Sequence, residues 1–297
     1  MVDSLLIISS NVGSLFAEKV CLALCQPKEI IQSWKDTLKN QINNKKPSVV
    51  IITLQEFAGK QIVPWSESYR FLENLFDEFK TDYPRYLSTC DCDYETDKYF
   101  TALCTIFMVR DGFEPIEFFD FDLNEFQTIK PGLNVHELSY ERQKSLKIKF
   151  GIELFPNNKW SRKGYMINRV RINGHVFDVV NLHLIHDLNF HALLETPKIY
   201  QNFRNLQLTE ILKKLEQIES KKTILCGDFN FRTSILEIIK NYDPKCTIER
   251  EVKHRSTTSL LHFKGADENQ VHFLPQSDNR LFKCNRHSSF RWTFAFR

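Results

Sequence analysis

Four short apolar runs in this chain stop on residues that a buried strand has no use for. Asn11 follows LLIISS, Gln55 and Glu56 follow VVIITL, Asn181 and His183 interrupt DVVNLHL, and Asp228 and Asn230 follow TILCG. Carboxylates and amides supply hard oxygen ligands, and an imidazole adds a hydrogen-bonding group that changes charge near neutral pH. In open α/β sheets ligands gather at one end of the strands, so such groups converging there are what a Mg²⁺ ion and a phosphate require. Taken singly, each has a plainer reading. Asn11 starts a turn, Glu56 caps or pairs with a cation, His183 is a satisfied core histidine, and Asp-Phe-Asn at 228–230 forms an Asx turn. Their repetition, each time at a strand end, favours a shared site. In TILCGDFNFR, Thr223 to Arg232, the polar Asp228, Asn230 and Arg232 are spaced by two. An extended segment would aim all three one way and turn Phe229 and Phe231 to the core.

The elements that must hold these groups are short and alternate in type. Leu5–Ser10, Val49–Leu54, Leu103–Val109, Tyr165–Ile172, Val176–Leu182 and Thr223–Cys226 are β-branched or apolar runs bounded by turn residues and are expected as strands. Ile199–Glu219 carries Leu208, Ile211, Leu212, Leu215 and Ile218 on one helical face. Asn173-Gly174 is a two-residue hairpin signal, so the strands beside it should be antiparallel neighbours. Residues 82–149 are the least regular, mixed acidic and aromatic, and are expected to give edge strands and long loops. A sheet core with flanking helices follows, with no repeat, low-complexity tract or linker to divide it.

Composition narrows the class. The 297 residues, 42% hydrophobic and 26% charged, can bury a sizeable core and exclude collagenous or mostly disordered chains. A net charge of +3 over this length is too small for a nucleic-acid footprint. Cys21, Cys25, Cys90, Cys92, Cys104, Cys226, Cys246 and Cys284 lack zinc-finger spacing and are expected as free thiols of a cytosolic protein. Asp3 stands where a signal peptide carries a cation, and no run approaches the roughly 20 apolar residues needed to cross a bilayer.

Together, SSNVGS at 9–14, TLQEF at 53–57, NLHLIHD at 181–187 and GDFNFR at 227–232 resemble the inositol polyphosphate 5-phosphatases of the endonuclease/exonuclease/phosphatase superfamily. WSRKG, Trp160 to Gly164, is similar to the type I members, which act on soluble inositol phosphates. The resemblance runs from about Leu5 to about Phe282, which would make 1–282 a catalytic domain and 283–297 a divergent tail. It implies an α/β fold, a β-sandwich flanked by helices and incomplete at its C-terminus. It also implies a Mg²⁺-dependent phosphomonoesterase acting on inositol 1,4,5-trisphosphate and 1,3,4,5-tetrakisphosphate, with phosphoinositide headgroups as the other substrate class. The location implied is cytoplasmic or peripheral at the plasma membrane.

Residue by residue, the resemblance makes Glu56 and Asn11 the metal site and Asp228 the base that deprotonates water. Asn230 and His183 become donors to the phosphoryl group, and Arg162, Lys163, His186 and Arg232 become substrate contacts. The family's later Pro-Ala-Trp-Cys-Asp-Arg and Ser-Asp-His motifs are missing, and Ser277-Asp278-Asn279 is only a near match. A truncated form, weakly active or acting as an inositol phosphate binding protein, is therefore the alternative expectation.

Overall fold

The computed structural model describes residues 4–13, 27–58, 65–95, 98–156, 159, 161–187, 197–231, 271–273 and 292–295. Its first sheet holds β1 (Leu5–Asn11), β2 (Val49–Gln55), β3 (Arg85–Asp91), β4 (Leu103–Val109), β7 (Gly132–Leu138) and β13 (Trp292–Ala295), in the order β13-β1-β2-β4-β3-β7. The second holds β5 (Glu117–Asp120), β6 (Glu125–Thr128), β9 (Gly164–Ile172), β10 (His175–His183), β11 (Thr223–Asp228) and β12 (Val271–Phe273), in the order β12-β11-β10-β9-β5-β6. β8 (Leu146–Lys149) also pairs with β9. Both sheets are mixed: β1 runs parallel to β2 and β10 to β11, whereas β2 and β4 are antiparallel, as are β9 and β10.

Helices α1 (Pro27–Lys45) and α2 (Trp65–Phe79) cover the outer face of the first sheet, and α3 (Pro197–Gln217) covers that of the second. Four layers result. Trp34, Leu38 and Ile42 of α1 and Phe71, Leu72, Leu75 and Phe79 of α2 pack on Leu6, Ile8, Val50 and Ile52. Leu208, Ile211 and Leu215 of α3 pack on Val180, Leu182 and Leu225. Ile7, Val49, Ile51, Phe107, Phe118, Val170 and Val179 join the two sheets face to face. With both faces covered, β2 and β4 are buried at every residue, which is why they read as unbroken apolar runs.

All six strands expected from the sequence form, and Asn173 and Gly174 turn the β9–β10 hairpin with φ of 48° and 75°. Residues 82–149 are more regular than expected. They hold β3 to β8, and β3 and β4 lie inside the first sheet rather than at its edge. At the C-terminal end, where the sequence suggests a divergent tail, Trp292–Ala295 pairs antiparallel with β1. Cys90, Cys92, Cys104 and Cys226 are free, as expected, and the Cys90 and Cys104 sulfurs approach to 2.7 Å across β3 and β4.

One histidine in this region predicts a pH dependence. His136 on β7 packs edge-on against Phe118, and burial followed by the charge of Lys144 pushes its pKa down to about 4, with Asp120 opposing. The unfolded chain, with its histidine near about 6.5, therefore takes up a proton that the folded chain refuses. That contribution to stability is complete above about pH 6.5 and is lost as the pH falls towards about 4. The urea midpoint of the native chain should drop over this window, and that of His136→Gln should drop less. Parallel curves would assign the dependence to other groups.

Candidate active site

The gap between the sheets changes character along its length. On the strand faces that meet there, Ile7 is followed by Ser9 and Asn11, Ile51 by Thr53 and Gln55, Val179 by Asn181 and His183, and Cys226 by Asp228. Side chains alternate every two residues, so each strand contributes one polar stretch at the same end. Behind the site Ser9, Gln55 and Asn181 satisfy one another. Gln55 Nε2 donates to Asn181 Oδ1 at 2.8 Å and to Ser9 Oγ at 3.2 Å, while Asn181 Nδ2 donates to Leu54 O at 3.1 Å and to Cys104 O at 2.9 Å. A buried polar network satisfied in this way holds β1, β2, β4 and β10 in one register.

In front of it, Asn11, Glu56, His183 and Asp228 converge. Asn11 Nδ2 donates to Asp228 Oδ2 at 3.2 Å, and the same oxygen lies 3.6 Å from His183 Nε2. Glu56 Oε1 is 3.9 Å from that nitrogen. Strict alternation past Gln55 would send Glu56 to the helix layer. Its backbone instead turns left-handed, with φ of 55°, and this brings the carboxylate into the gap. A Cβ on Gly13 would fall 2.1 Å from Glu56 Oε2, so the bare glycine is what leaves room for that oxygen.

Asp228 divides its oxygens. Oδ1 accepts from the Asn230 backbone N–H at 3.0 Å, the Asx turn that was the plainer reading, and Oδ2 faces Asn11 and His183. The segment is not extended beyond Asp228. β11 ends at Asp228, Asn230 has φ of 51°, and its side-chain amide donates to Leu184 O at 2.8 Å. A left-handed turn, rather than strand alternation, therefore places Asn230. Phe229 and Phe231 do face the core, stacked with centroids 6.0 Å apart. Arg232 and Trp160 lie outside the described residues.

His183 is 1% exposed. Burial, then the nearby Lys163 charge, hold its pKa well below the usual value against the pull of Asp228, so the ring is neutral. Lys163 is itself buried and its ammonium meets His183 Nε2. An ammonium there makes Nε2 the acceptor and puts the ring proton on Nδ1, a buried atom with no partner among the described residues. Arg162 lies over the Phe100 ring at 5.9 Å, and His186 is exposed. Both charges act on His183, which places them near the site without showing what they bind.

Two groups close to the site are not among the residues singled out from the sequence. Arg204 and Gln207 of α3 are buried and bond to the loop Leu184–Asp187. Their signal was present: Leu208 and Ile211 define the buried face, and one turn back that face reads Arg204 and Gln207.

The donor set suits a hard cation. Among the described residues no group of three His, Cys, Asp or Glu side chains gathers to hold a metal. Mg²⁺ needs only one or two carboxylates, keeping several waters and taking the rest from phosphate. Glu56 beside Asn11, in the space that Gly13 leaves, fits that demand.

The fold and site together define an α/β sandwich that holds a cluster of carboxylate, amide and imidazole between the strand ends of its two sheets. In sequence this chain is similar to inositol polyphosphate 5-phosphatases. It is 28% identical over 296 residues to Inositol polyphosphate-5-phosphatase A of Homo sapiens, covering 97% of this chain and 69% of that protein. It is 32% identical over 232 residues to the Probable type I inositol 1,4,5-trisphosphate 5-phosphatase of Caenorhabditis elegans, covering 76% of this chain and 55% of that one. No protein-family profile matches the chain. Among solved structures, a humanized D. rerio TDP2 aligns over 85% of this chain and 73% of its own, with 17% identity and a TM-score of 0.39, a likeness too loose to inform function. Among the described residues no helix is long and apolar enough to cross a membrane.

Proposed function

We propose that this chain is a Mg²⁺-dependent phosphomonoesterase that removes the 5-phosphate of inositol 1,4,5-trisphosphate and inositol 1,3,4,5-tetrakisphosphate. The observation that carries this reading is Asp228 Oδ2, held by Asn11 at 3.2 Å and facing the buried His183 at 3.6 Å. Glu56 and Asn11 would hold the ion, which when bound supplies positive charge for the scissile phosphate. Asp228 takes the proton of the attacking water, its carboxylate fixed by bonds to both oxygens. A phosphoryl group offers Lys163 a better acceptor than a neutral ring nitrogen, because its oxygens carry charge opposite to that of the ammonium. Arg162 and His186 then read phosphates that stay on the ring, and Asn230 supports the phosphoryl oxygens.

The purified protein should release phosphate from inositol 1,4,5-trisphosphate with Mg²⁺ and leave inositol 1,4-bisphosphate. Binding of the trisphosphate without turnover would instead support the inositol phosphate binding protein, and neither binding nor turnover would end both readings.

The metal assignment has its own check. Glu56→Gln keeps shape and removes charge, so Mg²⁺ affinity by titration calorimetry should fall at least about tenfold, as expected when a hard ion loses its carboxylate. Unchanged affinity would move the ion elsewhere.

A further inference from the structure

We infer that Arg204 and Gln207 are positioning residues, which fix the loop Leu184–Asp187 and through it hold His183, with the Lys163 that meets it, and His186 in place at the site; the role rests on the phosphatase reading above. β10 ends at His183, so the backbone beyond it loses its sheet partners while still running through the interior. At Leu184 and Ile185 each of these groups is met by a side chain or a neighbouring carbonyl. Ile185 N–H donates to Gln207 Oε1 at 2.9 Å, and Arg204 Nη1 donates to Ile185 O at 3.4 Å. The same Nη1 lies 3.4 Å from both oxygens of Asp187. Gln207 Nε2 is anchored in turn on Leu154 O at 3.1 Å. From the other side Leu184 N–H donates to Asp228 O at 2.9 Å, and its carbonyl accepts from Asn230. The loop is thus clamped between α3 and the segment that carries Asp228.

Two observations separate this from ordinary core packing. Arg204 is 3% exposed and Gln207 is fully buried, and both sit on the face of α3 that otherwise carries Leu208, Ile211 and Leu215. Desolvating a guanidinium and an amide there costs free energy that leucines would not. What the pair gains is a defined path for four residues of irregular backbone, beginning directly after the buried imidazole. Sub-ångström placement of such groups governs phosphoryl transfer, where catalysis is mostly positioning.

The test uses the full chain with Mg²⁺ and inositol 1,4,5-trisphosphate. Arg204→Met and Gln207→Leu should lower kcat/KM about 10- to 100-fold, the cost of a misplacement of about 1 Å, with most of the loss in kcat. Gln207→Glu, which keeps an acceptor for Ile185 N–H, should recover most of the loss. Leu215→Ala, a cavity on the same helix, should lower the melting temperature while kcat holds at 25 °C. Variants within twofold of the native kcat, or a loss matched by Leu215→Ala, would overturn the proposal. If the native chain itself turns nothing over, amide hydrogen exchange decides. Faster exchange confined to residues 184–187 in Gln207→Leu upholds the clamp, and unchanged exchange there refutes it.

Discussion

Asp228→Asn should lower kcat for inositol 1,4,5-trisphosphate by about 10²- to 10⁴-fold, the usual contribution of a positioned general base. The substitution preserves size and leaves an amide oxygen for the Asn230 N–H to donate to, while the nitrogen that replaces Oδ2 faces Asn11, whose own amide can flip to accept from it. What disappears is the charge that, on the phosphatase reading, accepts a proton from water. The melting temperature and the KM should therefore stay close to native while kcat collapses, because an interaction needed only in the transition state has been removed. A kcat within tenfold of native would mean that another group takes the proton, and Asp228 would revert to the turn-forming role that its other oxygen already performs.

The second large effect is on stability. Gly227 sits between Cys226 and Asp228 with φ of 139°, opposite Leu182 in the parallel β10–β11 pair. A Cβ there would lie 1.9 Å from Leu182 O and 2.7 Å from Leu182 N, both rigid backbone atoms. Gly227→Ala should cost about 2–6 kcal/mol, combining a strained backbone with overpacking. Urea unfolding followed by tryptophan fluorescence measures it, and a loss under about 1 kcal/mol would show that the two strands can part cheaply. The same methyl would drive β11 from β10 beside the His183–Asp228 contact, so activity should fall in the fraction that still folds.

Much of this was readable in the amino-acid order. β2 and β4 could be recognised because covered faces demand apolar residues throughout, and the polar ends of β1, β2, β10 and β11 stood out against them. β3, RYLSTCD, could not be recognised in the same way. It is buried yet rich in hydroxyls and charge, and its partners are remote: Thr89 Oγ1 donates to Asn168 at 2.8 Å, and Asp91 accepts from Thr101 Oγ1 at 2.6 Å and from Lys147 at 2.7 Å. A local pattern carries no trace of such bonds. Backbone turns hid the rest. Period-two counting aims Asn230 correctly only if the strand continues, and it mis-aims Glu56, which reaches the site through a positive φ. The burial of Lys163 against His183 likewise depends on β9 and β10 being neighbours and not on the order WSRKG.

Asn11 and Asp228 meet across 217 positions of the chain, one from each sheet. On a ribosome adding about 5–20 residues per second, Asn11 is made roughly 10–45 s before its partner. Glu56 waits nearly as long, so an emerging chain carries one side of the cluster well before the other. The cluster is thus unassembled for as long as the second sheet is still being made, and it exists only once that sheet has closed over the first.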